Sequence, residues 1–220
     1  MQGLIPLKSS NTSLPSSLEP EVALMTMGLS SPAQRLLLLR AWSTARAIRE
    51  GKARDRARGY APRGTVVQLM TTVAEEVLIS GPAGTGKSRG VLEKINAIMW
   101  LFPGSRALIV RKTRRSLTES GLFTLEMYVL GVDNPIVTNG PKRSHREKYI
   151  YPNGSEIVIG GLDAEDKLMS TEFDIVYVME AIETAENEWE KLKTRLRNFK
   201  VPFQQIIGDT NPGPPTHWLK

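Results

Sequence analysis

Residues 81–88 read Gly-Pro-Ala-Gly-Thr-Gly-Lys-Ser and follow directly on the apolar run Val77-Leu78-Ile79. Glycines at this spacing let a backbone curl until several N–H groups point at one set of phosphate oxygens. In such a loop Lys87 reaches the β- and γ-phosphates as a point charge, and the Ser88 hydroxyl ligates the magnesium ion that accompanies them. Gly81, Pro82, Ala83, Gly84, Thr85, Gly86, Lys87, Ser88 and Arg89 are therefore the expected nucleotide-binding residues. A glycine-rich turn can match this pattern by chance, but the context is specific: a strand-like run precedes it and a helix-length segment, Lys87 to about Leu101, follows. That segment carries Val91, Leu92, Ile95, Ile98 and Met99 at helical spacing and offers the positive end of its dipole to an anion.

A phosphate loop binds nucleotide, whereas hydrolysis also needs a carboxylate beside the γ-phosphate to orient or deprotonate water. Glu180 is the candidate. It ends the apolar run Asp174-Ile175-Val176-Tyr177-Val178-Met179, and ligands collect at the carboxyl ends of strands in open α/β sheets. The alternative is an ordinary solvent-facing glutamate at a strand end.

The elements that must position these groups can be read along the chain. Residues 1–30, rich in Ser, Pro, Thr and Leu, are expected to form a flexible lead-in. Residues 31–64 are expected to hold a helix, opened by Ser31-Pro32 and running to about Glu50, and then a basic linker. That linker carries Lys52, Arg54, Arg56, Arg58 and Arg63 against Asp55, and reads either as solvated or as touching a nucleic-acid backbone or a neighbouring subunit. From residue 65 onward, strands are expected over Val77–Ile79, Arg106–Val110, Tyr149–Tyr151, Glu156–Ile159, Ile175–Met179 and Gln205–Gly208. Pro152-Asn153-Gly154 marks a hairpin turn. A helix is expected from about Ser116 to Leu130, burying Leu117, Phe123, Leu125, Met127 and Val129, and another from near Thr184 with Trp189, Leu192 and Leu196. Strands alternating with helices imply an α/β fold with a mainly parallel sheet and helices on both faces.

With 220 residues and 40% hydrophobic content, one domain with an extension is the default. The net charge of +6 and pI near 9.6 point to a polyanionic partner, nucleic acid first. Arg111, Lys112, Arg114 and Arg115, crowded at the exit of one strand, are the DNA-binding candidates. There is no cysteine for a disulfide or a thiolate metal site, no apolar run near 18 residues and no secretory pattern, so an intracellular protein without a membrane partner is expected.

Five segments in order carry a resemblance: the loop at 81–88; Leu108-Ile109-Val110-Arg111-Lys112-Thr113; Pro152-Asn153-Gly154-Ser155 with Gly160-Gly161-Leu162-Asp163; Val176-Tyr177-Val178-Met179-Glu180-Ala181; and Gly208-Asp209-Thr210-Asn211-Pro212. Over about residues 65–215 the chain resembles the ATPase domain of the large terminase subunit of tailed bacteriophages. The resemblance implies a P-loop NTPase of the RecA-like type with an additional strand and a catalytic glutamate. It further implies an ATPase motor, with ATP and Mg2+ as cofactors, that drives double-stranded DNA into a procapsid. The implied partners are the portal protein and the small terminase subunit, with a homo-oligomeric ring on the portal and a monomer in isolation. The implied location is the host cell cytoplasm, transiently at the portal and outside the mature virion. By the same resemblance Glu180 activates water, Asp209, Thr210 and Asn211 couple hydrolysis to movement, and Gln68 helps to hold adenine, unless it is simply a polar surface residue.

Two features depart from that family. Many relatives place an acid immediately before the catalytic glutamate to help hold hydrated magnesium, but this chain has Met179, a poor partner for a hard cation. Asp174 does not replace it, since five strand residues span roughly 16 Å. Ser88, the phosphates and water are expected to hold the ion. The second departure is the lack of an acidic nuclease cluster before Lys220, so DNA cutting is not expected of this chain. Ring motors often complete the site with an arginine from a neighbouring subunit; Arg143 and Arg146 are the candidates, solvated surface arginine being the other reading. A helicase- or recombinase-like ATPase and a nucleotide-locked assembly protein are the competing functions.

Overall fold

The computed structural model describes residues 3–5 and 60–219, Met169 excepted. The expected helix ending near Glu50 and most of the basic linker lie outside the described residues, as does nearly all of the expected lead-in.

Seven strands form one sheet in the order β1-β2-β7-β6-β3-β5-β4. They are β1 (Gly3–Ile5), β2 (Glu76–Ser80), β3 (Arg106–Arg111), β4 (Lys148–Ile150), β5 (Glu156–Gly161), β6 (Ile175–Val178) and β7 (Gln205–Thr210). The five inner strands run parallel, and β1 and β4 close the two edges antiparallel. Every residue of β6 and of β7 is buried, as expected for parallel strands covered on both faces. The order inserts β7 between β2, which feeds the phosphate loop, and β6, which delivers Glu180. The carboxyl ends of these three strands and of β3 therefore share one edge of the sheet.

Helix α1 (Thr65–Thr71), not foreseen in the sequence, buries Val66 and Leu69. Helix α2 (Lys87–Leu101) has the expected span, with Val91, Leu92, Ile95, Ile98 and Met99 all buried. The opposite face of the sheet carries a core of Leu108, Val110, Val176, Val178 and Ile206 under Trp189 and Leu192 of a helix over Glu186–Lys193. No helix among the described residues is long and apolar enough to cross a membrane.

Two expectations need correction. Gly3–Ile5 is not a loose lead-in but pairs with β2 as an edge strand, covering N–H and C=O groups that β2 would otherwise leave unpaired. The helix expected over Ser116–Leu130 is instead three pieces: α3 (Arg114–Glu119), α4 (Gly121–Thr124) and a π-helical turn over Leu125–Leu130. At the break Gly121 lies so close to the sheet that a Cβ there would stand 2.8 Å from both the Met179 sulfur and a Leu117 methyl. The wider π turn then shifts the inward face, so that Leu125, Glu126 and Val129 are buried while Met127 is exposed; Phe123, in α4, is exposed as well.

Candidate nucleotide site

The 81–86 loop leaves β2 and enters α2 through two left-handed glycines, Gly84 (φ 76°) and Gly86 (φ 81°). A Cβ at either would meet nothing within 4 Å, so it is the backbone conformation rather than space that requires glycine. Gly86 caps α2, and no side chain caps the first turn, which leaves that positive helix end for an anion. Pro82, Ala83 and Gly84 are exposed. Lys87 is 7% exposed, and its Nζ donates to the carbonyls of Gly81 (2.7 Å) and Pro82 (2.8 Å) and to Asn211 Oδ1 (3.2 Å).

The end of β7 is bound to this loop at three points. Gly81 N–H donates to the Thr210 carbonyl (3.2 Å), Lys87 reaches Asn211, and Ser88 Oγ donates to Asp209 Oδ2 at 2.5 Å. Asp209, Thr210 and Asn211, expected to couple hydrolysis to movement, thus stand against the phosphate loop itself. Asp209 is 1% exposed, and its second oxygen accepts the Glu180 N–H at 2.9 Å.

Glu180 has φ 52° and ψ 57°, a left-handed conformation costing a non-glycine residue about 1–2 kcal/mol. Such strain persists only where neighbours hold it, and here Asp209 and the Glu183 N–H bonded to the Glu180 carbonyl (2.8 Å) do so. Ser80 pairs with Thr210 and Val178 with Gly208, so Glu180 emerges two strands from the loop, about 10 Å across the sheet. Partial burial, then the nearby charges of Asp209 and Glu183, raise the Glu180 pKa above the usual carboxylate value; Arg111 and Lys87 act in the opposite direction. A carboxyl with raised pKa is a stronger base once ionised.

The Met179 thioether packs on the 114–124 segment: its sulfur lies 3.9 Å from Ser120 Oγ and against Gly121. Tyr177, fully buried, brings its hydroxyl towards Ser88 and Asp209 without completing a well-formed hydrogen bond to either, and burial drives its pKa well up. Asp174 is committed at the other end of β6, where it accepts from the N–H groups of Arg106, Lys200 and Val201. Among the described residues no three metal-ligating carboxylate or histidine side chains cluster. What the site offers a cation is a pair of hard oxygen donors, Ser88 at the start of α2 and Asp209 at the end of β7, which suits an ion that keeps water and phosphate oxygens as its remaining ligands.

The other candidates are placed elsewhere. Gln68 is exposed on α1. Arg89 turns along α2 towards Glu93 (3.5 Å) and the Tyr128 ring. Arg111 forms a fork on Glu183 (3.0 and 2.8 Å), Lys112 binds Glu188 (2.7 Å), and Arg114 bonds Thr118 and the Arg146 carbonyl. Arg115 is the most exposed of these four, at 89%, and pairs with Glu119 at 3.2 Å. Arg146 does not stand on the surface as an arginine offered to a neighbouring chain must. It is 3% exposed, donates to the carbonyls of Ile136, Val137 and Pro141, stacks 4.7 Å over Tyr149 and pairs with buried Glu126. Arg143 bonds the same Glu126 at 2.6 Å and keeps 30% of its side chain exposed. Reading the sequence missed Asp209 as the partner of Ser88 and Arg111 as the cation beside Glu180. Each stands at the carboxyl end of a strand, the same signal that singled out Glu180.

The model of the phage terminase large subunit family matches residues 74–220. The chain belongs to that family. Among solved structures it is similar to the large terminase of a thermophilic bacteriophage, with a TM-score of 0.55, 14% identity and coverage of 73% of this chain and 42% of that one. It is also similar to the large terminase ATPase domain of Thermus phage P74-26, with a TM-score of 0.52 and 16% identity over 71% of this chain and 67% of that one. The first of these terminases in complex with ADP gives a TM-score of 0.52 at 14% identity over 71% of this chain and 39% of its own length. The chain thus spans under half of the length of that full terminase. At these identities the likeness shows the fold, that of a P-loop NTPase. No curated protein sequence matches the chain.

Proposed function

We propose that this chain is the ATPase motor domain of a DNA-packaging terminase, hydrolysing ATP to move double-stranded DNA into a procapsid. The observation that supports this most is the meeting, on one sheet edge, of the Lys87–Ser88 loop, the Asp209–Asn211 segment and a strained, half-buried Glu180 with raised pKa. On this reading the loop amides and Lys87 hold the β- and γ-phosphates, Lys87 exchanging neutral carbonyl partners for charged oxygens. Glu180 holds a water in line and takes its proton as the oxygen bonds to the γ-phosphorus. The bond from that phosphorus to the bridging oxygen breaks, and ADP leaves with the electron pair. Ser88 and Asp209 would hold magnesium, which when bound neutralises charge on the phosphate oxygens. The fork between Arg111 and Glu183 keeps a cation beside Glu180 and limits how far its pKa rises.

Double-stranded DNA, the portal, the small subunit and a ring of copies in the host cytoplasm belong to the same proposal. A helicase-like ATPase or a nucleotide-locked assembly protein would share the site, so the discriminating experiment uses three conditions. Steady-state ATP turnover is followed alone, with linear duplex and with a forked duplex. Turnover stimulated by linear duplex, with no strand separation, is expected. Unwinding of the fork would favour the helicase, and tight ATP binding without turnover the assembly protein.

A further inference from the structure

We propose that Asp209 is the carboxylate that positions the magnesium ion of this site, a role served from the end of β7 rather than the end of β6. The inference rests on the nucleotide-binding reading above and deepens it.

Strand order favours Asp209. β7 lies between β2 and β6, so a side chain at its carboxyl end is one strand from the phosphate loop, whereas a residue ending β6 is two strands away. One step beyond the pair Val178–Gly208, Met179 and Asp209 stand side by side in the same cross-strand row. Of these two neighbours Asp209 meets the Ser88 hydroxyl at 2.5 Å, while the Met179 thioether packs against Ser120 and Gly121. A hard divalent cation selects carboxylate and hydroxyl oxygens over sulfur.

The neighbouring acids are already engaged. Asp174 has its oxygens committed to backbone N–H groups at the opposite end of β6, and Glu183 is taken up by Arg111. Asp209 also holds both halves of the site at once: Oδ2 accepts from Ser88 and Oδ1 from the Glu180 N–H. It is 1% exposed, so this carboxylate is not in place to serve solvent. Asp209 is a positioning residue, acting through Ser88 and the ion.

The test measures ADP affinity by calorimetry, with EDTA and with Mg2+, for the wild-type chain, Asp209→Asn and Met179→Leu; Asp209→Ser replaces the amide variant if its melting curve shows a lost fold. The wild type is expected to bind more tightly with Mg2+. Asp209→Asn should lose about tenfold or more of that Mg2+-dependent gain, the scale of a lost supporting ligand, with affinity in EDTA within about twofold of wild type. Met179→Leu should keep the whole gain. An Asp209→Asn protein that retains the gain overturns the inference, and so does one that loses EDTA and Mg2+ affinities in equal measure, since Asp209 would then be holding the loop. A wild-type chain that binds no ADP under either condition overturns the nucleotide reading itself.

Discussion

Glu180 and Lys94 are both shifted by burial, in opposite directions, and each shift has its own consequence for pH dependence. Glu180 must be ionised to accept a proton, and its pKa is raised above 4.5. Turnover should therefore fall as pH falls through that raised value, at a higher pH than an unperturbed carboxylate would give. A rate profile that stays flat down to about pH 4.5 would contradict the assignment. Lys94, on α2, is buried, and burial brings its pKa down to about 7. As a neutral amine it has two N–H groups, matched by the Thr72 carbonyl (2.7 Å) and Gln205 Oε1 (2.6 Å). Between pH 7 and 10.5 the unfolded chain binds the proton and the folded chain does not, so stability should rise with pH, by about 1.4 kcal/mol per unit. Below about pH 7 both states carry the charge and the slope vanishes. Denaturant unfolding at about pH 7 and about pH 9 should show the rise in the wild type and its loss in Lys94→Met; equal slopes would refute the burial argument. Glu180 was legible in the sequence because an acid ending an apolar strand is a local signal. Lys94 was not, since a lysine in a helix reads as solvent-facing until the sheet covers it.

The elements show the same division. β2, β3, β5, β6, β7 and α2 follow from apolar runs and helical spacing, because their burial follows those patterns along their length. The stretch 114–130 failed that reading because a tertiary contact decides it: Gly121 approaches Met179, the helix breaks, and the π turn buries Glu126 instead of Met127. Glu126 then needs partners, and takes the Tyr149 hydroxyl (2.7 Å), Arg143 and Arg146. An arginine that looked free in a polar stretch is thereby made part of the core. Replacing Arg146 by Met breaks this buried group and leaves carbonyls unpaired, so unfolding free energy should drop by about 3 kcal/mol. Mixing that variant with Glu180→Gln should recover no turnover. A fully stable Arg146→Met protein rescued by mixing would mean that the residue acts between chains after all.

At the scale of the whole molecule, strand order is what makes the site, and no local pattern contains it. Asp209 becomes the partner of Ser88 only because β7 is inserted beside β2, and the same order brings Glu180 out on the sheet edge that carries the loop. Of the basic residues that suggested DNA, Arg111, Lys112, Arg114 and Arg115 each pair within the chain, Arg115 with Glu119 at 3.2 Å; with 89% of its side chain exposed, Arg115 is the one of the four most open to a DNA backbone. Arg115→Ala should weaken DNA binding irrespective of sequence and reduce the slope of log affinity against log salt by about one; an unchanged slope would exclude Arg115 from the DNA surface. The proposed motor depends on Glu180 acting at the phosphate held by Lys87. Single-turnover phosphate release, measured beside ATP affinity for the wild type and Glu180→Gln, tests this most directly. The prediction is unchanged affinity with release slowed about 100-fold or more, and equal release rates in the two proteins would contradict it.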